Sequence, residues 1–411
     1  MSLPVACRDL EIGQIPNSWD VVSVDDIKAN GRSIISGPFG SNISSKFFVK
    51  SGIPVIRGNN LSLNVGTKFI DKDFVFITEE KANELGAWAS ADDLIFTAVG
   101  TIGQVGILNT NNKYNKYTIS NKQLRLTVDK TKISPLFLYY WFSTSYMQEY
   151  IISNNTGSSV PLINLGILKS LPIHLPLIKE QRAIAAVLSS LDDKIDFLHR
   201  QNATLEAMAE ALFRKWFVVE AKEEWEHGFL PDEFEFVMGQ SPNGYSFNEV
   251  GMGTPMFQGN ADFGFRFPSA RIYTTEPTRF AQKFDTLISV RAPVGAQNMA
   301  QDRCCIGRGL AAFRYKNNSS FYSYTYFKLR YLLKEILVYN DEGTVFGSIS
   351  KNDFNNIEII IPDYNSVSEF ENMILSTNNR VISNCQQINT LEKLRDTLLP
   401  KLMSGEVRVD F

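Results

Sequence analysis

The sequence predicts an α+β protein built as a twofold internal repeat: two tandem mixed domains, each followed by a long α-helix. Two observations carry this. The chain aligns with itself, and each copy ends in a long stretch free of Pro and Gly with apolar residues at heptad spacing. Slid by 186 positions, residues 120–217 align with 306–403 without a gap. Matches include Leu124 with Leu310, Tyr140 with Tyr326, Ile163 with Ile349, Ile173 with Ile359 and Pro176 with Pro362. Thr204-Leu205-Glu206 returns as Thr390-Leu391-Glu392.

Upstream, blocks align at other offsets. Gly52-Ile53-Pro54-Val55-Ile56-Arg57-Gly58-Asn59 resembles Gly253-Thr254-Pro255-Met256-Phe257-Gln258-Gly259-Asn260. The stretch from Asp93 to Gly103 resembles that from Asp285 to Gly295. A changing offset means insertions between shared elements, and variable loops on a repeated frame are where function concentrates.

The mixed parts, about 15–175 and 230–361, hold short apolar runs such as Pro54 to Ile56, Leu94 to Phe96 and Leu287 to Val290. Gly, Pro and Asn break them, so they read as strands and turns. One helix per copy fits Pro135 to Ile152 and Phe321 to Val338.

The first long helix is expected over 177–217. Its seam is Ile184, Leu188, Leu191, Ile195, Leu198, Asn202, Leu205, Ala209 and Leu212. The second copy gives Phe370, Ile374, Thr377, Val381, Asn384, Ile388, Leu391, Arg395 and Leu398. Pro176 and Pro362 suit helix entries, and Pro400 with Gly405 marks the second exit. At 1.5 Å per residue each helix is roughly 60 Å long, too long to pack wholly on one domain. The economical solution is an antiparallel coiled coil of the two. The expected segments are 1–175, 176–220, 221–362 and 363–411.

Composition bounds the function. In 411 residues, 44% are hydrophobic and 12% aromatic, enough for sizeable cores and against intrinsic disorder. No apolar run approaches a membrane span. Arg8, Asp9 and Glu11 interrupt any leader-like apolar stretch, so a cytoplasmic chain is expected. The four cysteines and three histidines have no metal-ligand spacing. The net charge of −3 does not advertise nucleic-acid binding, but its distribution is uneven. Residues 1–175 carry 16 basic and 14 acidic residues, and 176–227 carry 7 and 10. Residues 363–411 carry 5 basic and 7 acidic residues, so acid concentrates in 176–227 and 363–411 and not in the first domain.

No phosphate loop, nucleophile elbow, amino-methyltransferase tetrapeptide or nuclease acid cluster occurs at motif spacing, so no catalytic residue is nominated. Gly100, Gly103 and Gly106 read as turn glycines, and Asp192-Asp193 as a solvated helix pair.

The order of motifs resembles the specificity subunits of type I restriction–modification systems. The resemblance rests on Gly13-Gln14-Ile15-Pro16 leading to Trp19, Gly37-Pro38-Phe39-Gly40-Ser41, the stretch Leu171 to Gln181, Ala211 to Phe217, and the ending Leu399 to Val407. It covers nearly the whole chain. One departure is Ser366-Val367 where the first copy has Glu180-Gln181.

The resemblance implies a non-catalytic subunit whose two target recognition domains each read one half of an asymmetric, bipartite site in double-stranded DNA. It implies two modification subunits docked on the helices and further restriction subunits, with S-adenosylmethionine, ATP and Mg used by those partners and no cofactor on this chain. Arg suits guanine and Asn or Gln adenine, so polar loop residues are the candidate readers. They are Arg57, Asn59, Asn60, Thr101, Gln104, Lys122 and Gln123 in the first domain, and Gln258, Asn260, Arg266, Arg291, Gln297 and Arg308 in the second. Candidate partner contacts are Glu180, Gln181, Phe213, Trp216 and Phe217. The competing expectation is a coiled-coil scaffold whose two α+β modules bind proteins instead of DNA.

Overall fold

The computed structural model describes residues 7–10, 13–340 and 348–410. Glu11 lies outside them. The chain forms two compact units, Met1–Ile195 with Leu391–Phe411, and Asp196–Thr390.

The first unit holds two four-stranded sheets. One runs Ile34–Ser36, Gln123–Leu126, Leu94–Thr97, Val105–Ile107, all antiparallel. The other runs Val75–Ile77, Ile53–Ile56, Tyr117–Ile119, Trp88–Ala89, and its central pair is parallel. A ribbon of Asp20–Ser23 with Pro172–Leu175 stands apart from both. The expected helix from Pro135 is two helices, Pro135–Ser143 and Ser145–Ser153. Thr144 divides them because its hydroxyl accepts the Met147 N–H as an N-cap, starting a new helix.

The second unit repeats the plan. Its antiparallel sheet is Phe234–Met238, Leu310–Tyr315, Thr286–Ser289, Gln297–Met299. Its second sheet has five strands and again one parallel pair, Thr254–Phe257 with Cys304–Ile306. The ribbon returns as Glu226–Phe229 with Glu358–Ile361, and the helix as one piece, Tyr322–Asn340.

The strands correct the alignment by one residue. Leu126 pairs with Leu94, and its counterpart Phe313 pairs with Thr286. Leu124 is thus equivalent to Ala311, not Leu310. The 186-residue offset returns by Ile163 and Ile349, which donate to Ala98 and to Val290 at the same place in each unit.

The long helices span Ile178–Arg214 and Tyr364–Ser404. Their seam positions are buried or half-buried throughout. In the first unit Ile184 and Leu188 share a core with Leu399 and Leu402. In the second, Ala209 and Phe213 share one with Phe370 and Ile374. In the first unit Glu180 meets Arg408 and Asp192 meets Arg395, and in the second Asn202 meets Asn384 and Phe213 meets Phe370, so within each unit the segments are antiparallel. Pro400 does not end the second helix. It lies within the last turns, and the exit is at Gly405, whose φ of 74° is the left-handed stop.

No helix among the described residues is long and apolar enough to cross a membrane. Among them no group of three His, Cys, Asp or Glu could hold a metal ion.

Candidate nucleic-acid interface

Three backbone hydrogen bonds build the same corner in each unit. In the first, Gly37 N donates to Gln123 O at 2.9 Å, Ser120 N to Ile56 O at 2.9 Å, and Ala98 N to Lys122 O at 2.8 Å. In the second, Gly239 N donates to Leu310 O at 2.8 Å, Gly307 N to Phe257 O at 2.8 Å, and Val290 N to Gly309 O at 2.9 Å. A glycine is required where the first loop crosses. A Cβ on Gly37 would meet Ser120 O at 1.7 Å, and one on Gly239 would meet Gly307 O at 2.1 Å.

In the first unit this corner opens into a cleft of about 560 Å³. Six of the seven nominated residues line it: Arg57, Asn59, Thr101, Gln104, Lys122 and Gln123. They are not equally available. Asn59, Thr101 and Lys122 are exposed and Arg57 is half-buried. Gln104 is engaged, its Oε1 accepting from Thr97 Oγ1 at 2.8 Å and its Nε2 donating to Leu61 O at 3.3 Å. Gln123 is fully buried in the wall, with Oε1 accepting from the Ser120 hydroxyl. Asn121 also lines the cleft, is exposed, and was missed by sequence reading. Phe39 stands 83% exposed on the loop beside it.

Asn60 is corrected. Its side chain is fully buried, accepts from Arg57 N at 3.0 Å and donates to Ile70 O and Lys72 O at 2.9 Å each. Asn60 therefore pins the loop that presents Arg57 and Asn59.

In the second unit Gln258, Arg291 and Arg308 are exposed at the equivalent corner, and Asn260 is half-buried one turn on. The Arg308 backbone N–H donates to Ser241 Oγ at 3.2 Å, and the residue is exposed. Arg266 is corrected: it is 2% exposed, pairs with Glu206 Oε2 at 2.9 Å, and its guanidinium lies 4.2 Å from the centre of the Tyr326 ring. Gln297 is also used internally, donating to Tyr326 O at 2.6 Å and accepting from Arg330 Nε at 3.2 Å.

The five nominated partner contacts hold the fold together instead. Glu180 is buried, accepting from Trp19 Nε1 at 3.2 Å and pairing with Arg408 at 2.5 Å. Gln181 is buried and ties the start of Pro135–Ser143 to the long helix, accepting from Ser134 N at 2.8 Å and donating to Pro176 O at 2.9 Å. Phe213 and Phe217 are core residues, and Trp216 packs half-buried against Phe217 and Phe370. The missing Glu-Gln of the second copy is offset locally: Trp225 Nε1 donates to Asp363 Oδ2 at 3.0 Å. Hydrogen bonds from Ser366 hold the Asp363 carboxyl well below the usual range. The helix faces left open carry apolar side chains, among them Val187, Met208, Met373 and Leu394.

The family model described as the type I restriction modification DNA specificity domain matches residues 16–207 and again 222–392. The type I restriction enzyme MjaIX specificity subunit of Methanocaldococcus jannaschii is 27% identical over 438 residues, covering 98% of this chain and 96% of that protein. The HindI specificity subunit of Haemophilus influenzae is 23% identical over 397 residues, covering 77% and 86%. The crystal structure of the type I restriction–modification S subunit from M. genitalium shares the fold, with a TM-score of 0.59, 17% identity and 96% of each chain covered.

Proposed function

Because this chain belongs to the type I restriction–modification DNA specificity family and is a DNA sequence-recognition subunit, we propose that each unit reads one half of an asymmetric two-part site through its corner cleft. The observation that carries this is the corner itself. One backbone frame is built twice and furnished differently, with Arg57, Asn121 and Lys122 in one copy and Gln258, Arg308 and Gly309 in the other. A frame that is kept while its exposed side chains change is what reading two different sequences requires. The protein-scaffold alternative gives no reason for it.

The two long helices each contribute to both units and set the separation of the half-sites. A separation of one duplex turn, about 34–36 Å, lies within the reach of such helices. Two modification subunits dock on the open helix faces, where Met208 and Met373 are half-exposed. They supply the adenine methyl transfer with S-adenosylmethionine, and restriction subunits that use ATP and Mg join them. This chain is then non-catalytic. Its modest charge is tolerable because the partners share the phosphate contacts.

The test is competition binding by the assembled modification complex. A subset of genomic fragments should stay bound under excess random duplex, with affinity falling as salt rises. Uniform loss across all fragments would overturn the reading.

A further inference from the structure

We propose that Asn121 and Arg308 are equivalent specificity-determining residues, and that the half-site read by the second unit carries a G·C pair under Arg308. This rests on the reading that each corner faces DNA. It goes beyond that reading by assigning one position and one base pair.

The equivalence is visible only in the backbone. By sequence offset Arg308 matches Lys122, which would make the position a basic residue in both units. The hydrogen bonds set it one residue earlier. Ser120 and Gly307 donate to equivalent carbonyls, those of Ile56 and Phe257. Lys122 and Gly309 accept from equivalent amides, those of Ala98 and Val290. Asn121 and Arg308 are the residues between these fixed points. Each pair forms the centre of a four-residue turn, closed by Gln123 N donating to Ser120 O and by Leu310 N donating to Gly307 O, so the correction makes Asn121 and Arg308 the first central residue of their turns and Lys122 and Gly309 the second.

Both side chains are exposed, and Arg308 has no ion pair among the described residues. Their surroundings differ in one telling way. A Cβ on Gly309 would meet Gln258 O at 2.3 Å, so glycine lets this loop close against Gln258. The first unit has Lys122 there. In the second unit the exposed cation of this turn is therefore Arg308 alone, and the turn lies against Gln258, which is itself exposed. A guanidinium matches guanine O6 and N7 in a bidentate pair, and a carboxamide matches adenine N6 and N7. The two corners thus hold different readers at one place.

The experiment expresses the complete modification complex in cells free of other adenine methylation and maps methylated adenine at single-base resolution. The variants are Arg308→Asn and Asn121→Arg. Arg308→Asn should relax a single position in a single half-site at least tenfold, and that position should be a G·C pair. Asn121→Arg should alter a single position in the opposite half-site and raise its preference for G·C. The separation between halves should not change.

The proposal is overturned if Arg308→Asn leaves the motif as it was, alters both halves, or relaxes an A·T position. It is also overturned if the variant complex, melting like wild type, binds all sequences equally more weakly with a shallower salt dependence, which marks a phosphate contact. Arg308→Lys, which keeps the charge and loses the fork, should relax the same position. Should the wild-type complex mark no split motif at all, the underlying reading fails, and this assignment with it.

Discussion

Asn384 donates its side-chain amide to Asn202 Oδ1 at 2.8 Å, inside the apolar seam of the second unit. Both residues are about 98% or more buried. A buried amide pair in a mainly apolar seam specifies register, because a slip parts Asn384 from Asn202 and from Gln201 Oε1, which its amide also reaches at 2.8 Å. Asn384→Leu should therefore cost about 1–3 kcal/mol by stranding Asn202. The double variant Asn202→Leu/Asn384→Leu should recover most of that. Urea denaturation of all four chains gives the coupling directly, and additive single effects would contradict it.

Glu206 is the anionic hub between helix and domain in the second unit, pairing with Arg266 at 2.9 Å and Arg330 at 2.6 Å. Glu206→Ala should cost about 3–5 kcal/mol, since the buried Arg266 guanidinium loses its counterion while Arg330 keeps Glu210 at 3.4 Å. Arg266→Met should cost less, because Glu206 keeps Arg330 and the thioether fills the wall beside Tyr326. The methylated motif of Arg266→Met should be that of wild type. A changed motif would restore Arg266 to the base readers.

Much of this molecule was legible before any coordinates. The heptad seams from Ile184 to Leu212 and Phe370 to Leu398 are the buried faces of their helices. Periodicity is a property of the chain alone. The blocks around Arg57 and Gln258 fall on equivalent corners for the same reason. What stayed hidden depended on long-range partners. Nothing near Arg266 announces Glu206, sixty residues away, or near Asn60 the carbonyls of Ile70 and Lys72. Both look like loop readers until burial is known. Asn121 was missed because nothing in the sequence distinguishes a turn Asn that lines the cleft from the other loop Asn residues.

Burial pushes the carboxyls of Glu233 and Glu371 up to about 7 from an ordinary value of 4.5. Glu233 accepts from the Tyr324 hydroxyl at 2.7 Å with Lys328 nearby, and Glu371 accepts from Tyr324 N at 2.6 Å with Ser323 beside it. Each carboxyl holds its proton more tightly folded than unfolded. Stability of the second unit is thus fully present below about pH 4.5 for these groups and is lost as pH rises through about 7. Glu233→Gln should flatten that decline and exceed wild type by about 1–3 kcal/mol above pH 7. Melting profiles that stay parallel from pH 5 to about 8 would rule this out.

Lys122 and Arg291 should separate two kinds of DNA contact. Lys122→Ala should weaken binding by the assembled complex evenly across sequences and lower the salt slope by about 1. Arg291→Ala should weaken specific binding by about 1–3 kcal/mol and leave nonspecific binding nearly unchanged. Titrations on cognate and random duplexes at several salt concentrations distinguish them. Equal losses for Arg291→Ala on both duplexes would make it a phosphate contact.

The most direct test of a chain that reads DNA twice is single-molecule mapping of methylated adenine in host DNA, with and without this gene intact. A split, asymmetric motif that vanishes on disruption is the expected result, and its two halves would name what the two corners read. Methylation that is unchanged by the disruption, or an unsplit motif, would contradict it.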